Sequence, residues 1–346
     1  MLKTPLFWLR FVIVGMIMWL LSQVTSIYLP VILALIVSFL LNSAVDFFVL
    51  LPGRWGRGKM PRSIAVLLAF GIAVLAVTLA VTFILFPFIQ EFDKLVIDLP
   101  GLVRRIQVLF MAIEQQTTAL ELPDNVRDLL NQGVANMASF SVEMARRMLN
   151  AVFGFASQVV ELVVVPVLTY YLLKDWRSLQ AGLVNAFSAR YRQQLQGVIT
   201  EMGSVISGYI RGQIVISIIM GVLVFSGMYI LGVDYPLVLG LLATLTETIP
   251  IIGPIIGAIP AILLAYIASP ALALKVIVFY VLIQQIENHL IVPNIMGHTI
   301  DLHPILVVIS LLIGGHVYGV VGMMLAVPVT ALLRVIIRHL WYYGER

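Results

Sequence analysis

The chain contains no cysteine, which excludes disulfide bonds, thiolate metal sites and cysteine nucleophiles. It is also poor in charge: only 11% of its 346 residues are Asp, Glu, Lys or Arg. Soluble domains carry roughly 25% charged residues. Such a low charge content excludes an ordinary soluble protein and leaves the packing of apolar side chains as the source of stability.

Apolar residues make up 61% of the chain, and the mean hydropathy is +1.05. They form uninterrupted runs, for example at residues 63–86, 206–233 and 251–268. Each run is near the roughly 20 residues that a helix needs to cross the hydrocarbon core. The runs do not show the alternating polarity of membrane-spanning strands. The sequence therefore predicts an all-α, polytopic transmembrane protein.

Hydropathy predicts about eight spans with both termini in the cytoplasm. Basic residues near the N-terminus, in the loop 52–62 and near the C-terminus support this orientation by the positive-inside rule. The same topology explains the formal charge of +4 without a nucleic-acid partner. The predicted spans cover residues 11–29, 31–51, 63–88, 151–173, 206–233, a broken segment 237–268, 271–289 and 305–338.

Polarity divides the chain into three predicted regions: spans at 1–89, an extramembrane region at 90–150, and further spans at 151–346. Within the middle region, segments 99–120 and 126–149 have apolar residues at helical spacing. We expect them to be amphipathic helices that lie on the membrane or line a vestibule.

Prolines and glycines interrupt the sixth apolar segment. An unbroken helix does not accommodate three prolines and two glycines so closely spaced, so we expect a re-entrant half-helix at 237–248 and a break near 250–254. Breaks of this kind expose backbone groups and form binding sites in transporters. The interrupting residues are Pro250, Gly253, Pro254, Gly257 and Pro260.

Glu247 directly precedes this break and is the strongest candidate for a functional carboxylate. Thr244 and Thr248 stand three residues before and one after it, so a continuous helix would place all three on one face. A charged carboxylate at the bilayer centre costs roughly 2.5–3.5 kcal/mol, which favours a functional role. The alternative is that Glu247 lies at the water interface and caps a helix.

A second group of polar residues closes the seventh span. Gln284, Glu287 and Asn288 would share a helix face, where they would bind a solute or hold a neighbouring helix. Glu161, four residues before an expected kink near Pro166, would serve either in a proton or cation relay or in a structural hydrogen bond.

Other features indicate structure rather than chemistry. Small residues at four-residue spacing predict close helix packing. The histidines lack the spacing of a metal-ligand pair, and no cofactor motif such as Walker A occurs, so we expect neither metal nor cofactor. The predicted packing residues are Ser204, Gly208, Gly212, Gly315 and Gly319.

Several motifs together resemble the autoinducer-2 exporter (AI-2E) family of bacterial membrane proteins. They are Pro166-Val-Leu-Thr-Tyr-Tyr-Leu-Leu-Lys-Asp175, Tyr209-Ile-Arg-Gly-Gln213, Ile249-Pro-Ile-Ile-Gly-Pro-Ile-Ile-Gly-Ala-Ile-Pro260, and the segments 287–297 and 314–328. The resemblance implies an inner-membrane transporter with a variable region between spans three and four. It also implies a homo-oligomer, such as a pentamer, in contact with membrane lipid.

The leading hypothesis is a transporter that exports a small signal or metabolite such as autoinducer-2. Because some members of the family exchange Na⁺ or Li⁺ for protons, antiport of a monovalent cation is the first alternative, and a channel or structural membrane protein is the second. We expect no enzyme, because the chain has no recognisable catalytic dyad or HExxH motif.

Overall fold

The structure is a computed structural model that describes residues 15–16, 28–50, 60–117, 132, 159–297 and 302–342. Most of the first predicted span, the second amphipathic segment at 126–149, most of the basic loop and His298 lie outside these residues. All the described elements are helices, which confirms the predicted all-α polytopic class.

By length and composition, five described helical segments are long and apolar enough to cross a membrane, although the last of them reverses direction within its length, as described below. Two shorter apolar helices lie between them in the chain. The five are Pro30–Leu50, Arg62–Asp98, Ala189–Leu231, Pro270–Met296 and Pro304–His339, and the shorter two are Pro236–Thr246 and Ile252–Ala268.

The chain forms two compact units, and the division falls inside a helix that begins at Arg62. Unit 1 comprises residues 1–73 and 154–187, and unit 2 comprises residues 74–153 and 188–346. Unit 1 contains α1 (Tyr28–Leu50), the start of α2 (Arg62–Ala80) and α4 (Val159–Asn185).

Polar contacts and a small apolar core hold unit 1 together. Arg62 donates from Nε to the carbonyl of Leu173 at 2.7 Å and from a terminal nitrogen to Asn42 Oδ1 at 3.0 Å. Its other terminal nitrogen lies 3.5 Å from Asp46. The α4 helix continues through Pro166, and it ends at Asn185 rather than near Leu173. The core consists of Val45, Ala65, Val66, Ala69 and Leu173.

The α2 helix continues through a π-helical turn, Val81–Leu85, into α3, Phe86–Thr117. The segment 99–117, predicted as part of a separate amphipathic helix, is therefore a continuation of the third span. A change from apolar to polar side chains changes the surroundings that a helix prefers. It does not interrupt the backbone hydrogen bonds, so the helix can continue beyond the membrane-spanning part.

Unit 2 is built around α5 (Ala189–Leu231), α6 (Pro236–Thr246) and α7 (Ile252–Ala268). The α5 and α6 helices cross at Gly221 and Gly240, where a Cβ on Gly221 would lie 2.9 Å from the carbonyl oxygen of Gly240. Such a close approach is possible because neither residue has a side chain.

The break between α6 and α7 covers residues 247–251, slightly earlier than predicted. Ile251 has φ 69°, a conformation that non-glycine residues seldom adopt. A Cβ on Gly253 would overlap the carbonyl oxygen of Thr246, and Gly257 packs near Ala243. The two helices therefore run back along each other as a hairpin.

After α7, the chain continues through α8 (Pro270–Ile286), a π-helical segment Glu287–Ile291, and α9 (Val292–Met296). Buried side chains of α5, α6, α7 and α8 form one apolar core. This core includes Ile216, Met220, Val224, Met228, Leu239, Ala243, Ala261, Ala265, Val276 and Ile283.

The prediction that residues 305–338 form one straight membrane-spanning helix is wrong. The helix α10, Pro304–Tyr342, reverses at Tyr318 and Gly319, where Gly319 has φ 60° and ψ −137°. A Cβ on Gly314 would overlap the carbonyl of Gly322, which is impossible for residues eight apart in a straight helix. Residues 304–317 and 320–342 are therefore two antiparallel arms.

The two hairpins of unit 2 meet in an apolar cluster. Ile249, in the break after α6, is buried together with Leu311 and Ala326, one from each arm of α10. Elsewhere, Glu201 of α5 pairs with Arg338 and lies 3.5 Å from His339 Nε2. The α10 arms are thus held at the hairpin break and along α5.

Candidate functional site

Two glutamates from different helices meet inside unit 2. Glu247 follows the last residue of α6, and its amide donates to the carbonyl of Ala243 at 2.9 Å. Glu287 is the first residue of the π-helical segment after α8. Only 3% of Glu247 and 6% of Glu287 is exposed. Their side chains hydrogen-bond to each other.

A hydrogen bond between two carboxyl groups requires a proton on one of them, since ionised carboxylates only accept. A hydrogen-bonded pair of carboxyl groups therefore holds at least one proton. Gln284 donates from Nε2 to Glu287 Oε2 at 2.7 Å and so holds the second carboxyl in place.

The π-helical segment determines which side chains of this helix face inward. Its wider turn changes the helical phase, and such turns occur frequently at functional sites. Glu287 is buried, whereas Asn288 and His289 are exposed. The predicted common face of Gln284, Glu287 and Asn288 is therefore wrong for Asn288.

Gln213 of α5 is a site residue that the sequence analysis did not single out. Its Nε2 donates to the main-chain oxygen of Glu247 at 2.6 Å, and only 8% of its surface is exposed. This bond satisfies a carbonyl that the end of α6 leaves without a helical partner. An amide within the apolar run 206–233 was the signal available in the sequence.

The threonines around Glu247 do not share one face, because α6 ends at Thr246. Thr244 bonds to the carbonyl of Gly240 at 3.0 Å and packs against Gly221. The hydroxyl of Thr248 bonds to the carbonyl of Leu245. Thr246, which the sequence analysis did not name, is buried beside Glu247 instead.

A cavity of about 10 Å³ lies beside the carboxyl pair, about the space that one water molecule needs. None of the described residues that line it carries a positive charge. Tyr280 donates its hydroxyl to the carbonyl of Gly257 at 3.3 Å on one side of it. The lining residues are Met220, Val224, Ala243, Thr246, Glu247, Pro254, Gly257, Tyr280, Ile283 and Gln284.

The predicted break residues have two different positions. Pro254 and Gly257 line the cavity, whereas Pro250 and Gly253 form the turn that ends beside it. The Gly253 amide donates to the carbonyl of Ile249 at 2.9 Å. The hairpin turn therefore follows Glu247 directly in the chain, and Gln213 bonds to the same residue from α5.

Two hydroxyls on α5 are buried without a hydrogen-bond partner among the described residues. They are Ser217 Oγ and Tyr209 Oη, each in a residue that is 4% exposed. Together with Gln213 they stand at four-residue intervals, so they share one helix face. Buried hydroxyls of this kind usually bind water.

The remaining predicted residues have other positions in the fold. Glu161 belongs to α4 of unit 1, and its side chain is outside the described residues. Gly212 packs against Met296, with 3.1 Å between its would-be Cβ and Met296 Cγ, whereas Ser204 is exposed. Gly208 is half-buried.

The glycines of α10 have a different role from the predicted row of small residues. Gly319 supplies the positive φ of the reversal, and Gly315 contacts Met323 of the second arm. Both therefore belong to the hairpin within α10.

No group of three or more described His, Asp or Glu side chains is arranged to hold a metal ion. His289 Nδ1 lies 3.0 Å from the carbonyl of Gln285, and His303 Nδ1 accepts from the amide of Ile305 at 3.3 Å. Both contacts are local: His289 bonds within its own helical segment, and His303 bonds at the beginning of α10.

Long apolar helices, a broken-helix hairpin and a buried acid pair define a multi-pass α-helical membrane protein. The chain belongs to the AI-2E family of transporters, whose model matches residues 7–341. It is accordingly a membrane transporter or permease, which is not a class of enzyme.

Similar proteins cover most of the chain. The provisionally named transport protein YrrI of Bacillus subtilis is 26% identical over 317 residues, which is 91% of this chain and 87% of YrrI. YueF of the same organism, also provisionally a transport protein, is 27% identical over 90% of this chain and 83% of its own length. The provisionally named permease PerM of Escherichia coli K12 is 25% identical over 79% of this chain and 78% of PerM.

Proposed function

We propose that this transporter exchanges a monovalent cation, Na⁺ or Li⁺, for protons, and that Glu247 and Glu287 form the shared binding site. The observation that carries the proposal is the hydrogen-bonded pair of buried carboxyl groups beside a cavity of water size. Intramembrane ionisable groups commonly mark ion pathways and proton relays.

The exchange balances in charge. With one shared proton, the pair carries one negative charge; when a monovalent cation replaces that proton, both carboxylates and the cation again sum to one negative charge. Burial disfavours the pair with both carboxylates ionised and neither a proton nor a cation bound, because two like charges would then face each other in a low-dielectric interior. Proton and cation therefore compete for one site, as antiport requires.

The ligands around the cavity suit a small hard cation. Carboxylate, hydroxyl and carbonyl oxygens are the donors that hard cations prefer. Glu247 and Thr246 line the cavity and carry a carboxyl group and a hydroxyl group. Gln284 also lines it and connects it to the carboxyl group of Glu287 through its Nε2 donor. None of the described residues that line the cavity has a basic side chain that would compete with the cation.

The hairpin break offers a way to expose this site. Broken helices at the centre of transporters allow a site to open to one side of the membrane at a time. Here the break at 247–251 carries Glu247 and contacts both arms of α10 through Ile249. We expect a shift of these hairpins against each other to alternate access to the carboxyl pair.

Export of a small signal such as autoinducer-2 is the second candidate, which the family description supports. The present cavity is much smaller than an organic solute, so this function requires a wider opening.

We also propose a bacterial inner-membrane location with both termini cytoplasmic, which the positions of the basic residues support. A homo-oligomer remains a prediction from the family resemblance.

The decisive experiment uses purified protein in liposomes that contain a pH-sensitive dye. Na⁺ or Li⁺ is added outside, with choline as the control cation and valinomycin with K⁺ to clamp the potential. We expect cation-dependent proton movement in the natural protein and none in Glu247→Gln, which keeps the shape but loses the titratable group. Proton movement that survives in this variant would refute the assigned site.

A parallel assay separates the two functions. Liposomes loaded with radiolabelled autoinducer-2 report its efflux with and without a pH gradient. Saturable efflux together with an absence of cation-driven proton movement would replace antiport by solute export. Single-channel currents in planar bilayers would instead identify a channel.

A further inference from the structure

We propose that Glu91 and Asp98 of α3 are positioning residues that hold the first turn of α6 and thereby set the position of Glu247 at its other end. The transport part of this inference rests on the proposed function, whereas its structural part does not. Both acids lie in unit 2 and stand seven residues apart, so they share one face of α3.

Glu91 caps the beginning of α6 from another helix. Its Oε1 accepts from the amide of Leu237 at 3.1 Å, and the amide of Val238 also bonds to this carboxylate. The first amides of a helix have no helical partner, and a negative charge there is favourable. Tyr235, at the N-cap position, supplies no side-chain cap of its own.

Asp98 holds the residue just before α6. Its Oδ2 accepts from the hydroxyl of Tyr235 at 2.5 Å. Tyr235 has φ 59° and ψ 47°, a left-handed conformation that is unfavourable for a residue with a side chain. Burial and the bond to Asp98 raise the pKa of Tyr235 to about 12, so its hydroxyl remains a donor.

The α6 helix can carry a displacement from one end to the other. It has 11 residues and is about 16 Å long. Buried Leu239, Leu242 and Ala243 and the crossing at Gly240 join it closely to its neighbours. Glu247 follows its last residue directly, so a tilt of the first turn changes the contact between Glu247 and Glu287.

Spin-label distances test this structural link without any transport. The chain has no cysteine, so Leu245→Cys on α6 and Ile286→Cys on α8 can be labelled uniquely, and both positions are exposed. We expect Glu91→Ala to shift or broaden the distance distribution. Glu91→Gln should restore it in part, because its amide oxygen still accepts from Leu237.

Asp93→Asn is the matched control, since Asp93 is an exposed acid on the same helix. If the distance distribution of the Glu91→Ala variant were identical to that of this control, the proposal would be overturned. Tyr235→Phe is a milder variant that removes only the bond to Asp98, and it keeps the test decisive if Glu91→Ala fails to fold. An unchanged distribution in Tyr235→Phe would then overturn the role of Asp98.

Transport kinetics supply the second readout. If the carboxyl contact is loosened, we expect the apparent KM for Li⁺ or Na⁺ to rise about fivefold and the midpoint of the pH profile to move, as the loss of one hydrogen bond implies. A natural protein without cation-driven proton movement would refute the proposed function, while the label distances would still decide the positioning role.

Discussion

The two units contain acidic side chains in opposite environments. In unit 1, Asp46 lies 3.5 Å from Arg62, accepts from Asn42 at 2.9 Å, and has a half-exposed side chain. In unit 2, Glu247 and Glu287 are almost completely buried and bond to each other. The first arrangement neutralises a charge, whereas the second brings together the two carboxyl groups to which the proposed exchange assigns the proton and the cation.

The helices of the two units differ in the same way. In unit 1 the described helices are regular, and α4 passes through Pro166 without interruption. Unit 2 contains the break at 247–251, the π-helical segment from Glu287 and the reversal at Gly319. Irregular backbone inside a membrane is tolerated where protein or a cavity surrounds it. The break follows Glu247 and the π-helical segment begins at Glu287, so irregular backbone at both acids supports a functional role.

The largest contrast concerns transport itself. Glu287→Gln removes one carboxyl of the pair, so we expect cation-driven proton movement to fall to the background of empty liposomes. Asp46→Asn removes an acid of unit 1 that already has a partner, and it should leave the rate within about twofold, because exposed ion pairs contribute little. The liposome dye assay compares them, and equal losses in both variants would contradict the assignment.

A disulfide test addresses the reversal in α10. Leu311→Cys with Ala326→Cys should cross-link readily under mild oxidation, because the two positions meet in one cluster. Fifteen residues in a straight helix would separate them by roughly 22 Å. Val167→Cys with Gly182→Cys has the same spacing on α4 and is the control, where we expect no intramolecular cross-link. Failure of the 311–326 pair would restore a single crossing.

How far the sequence could predict this site is clearest from its two acids. Each of Glu247 and Glu287 was a candidate because a carboxylate in an apolar run needs compensation. Their contact was not predictable, since it joins residues 40 positions apart through tertiary packing. The π-helical segment, which turns Glu287 inward and Asn288 outward, has no hydropathy signal.

The reversal at Gly319 shows a second limit. Hydropathy records how apolar a segment is, so residues 305–338 predicted one long span. Gly314, Gly315, Gly319 and Gly322 were the available signal, because the reversal needs a positive φ and two backbones in contact. The proline-rich break before α7 was more accurately predicted, since proline limits a helix directly.

Two glycine-to-alanine substitutions compare the irregular turn of unit 2 with a regular helix of unit 1. Gly253→Ala places a Cβ against the carbonyl of Thr246, and we expect about 1–3 kcal/mol of destabilisation. Gly71→Ala, in the unit 1 part of α2, meets nothing within 4 Å and should gain about 0.5–1 kcal/mol from helix propensity. Thermal unfolding in detergent measures both, and a stabilising Gly253→Ala would contradict the tight turn.

The smallest expected effect compares two threonines that are two residues apart. Thr246 lines the cavity, so Thr246→Val removes an oxygen ligand and should weaken apparent cation affinity by roughly two- to tenfold, as the loss of one hydrogen bond implies. Each hydroxyl also bonds to a backbone carbonyl of α6, that of Thr246 to Ala243 and that of Thr248 to Leu245. Because Thr248 is not among the residues that line the cavity, Thr248→Val should change this affinity less than twofold. The dependence of proton movement on Li⁺ concentration measures both. An equal or larger effect at Thr248 would mean that the cation binds on the other side of the break, because only there would its hydroxyl face the site.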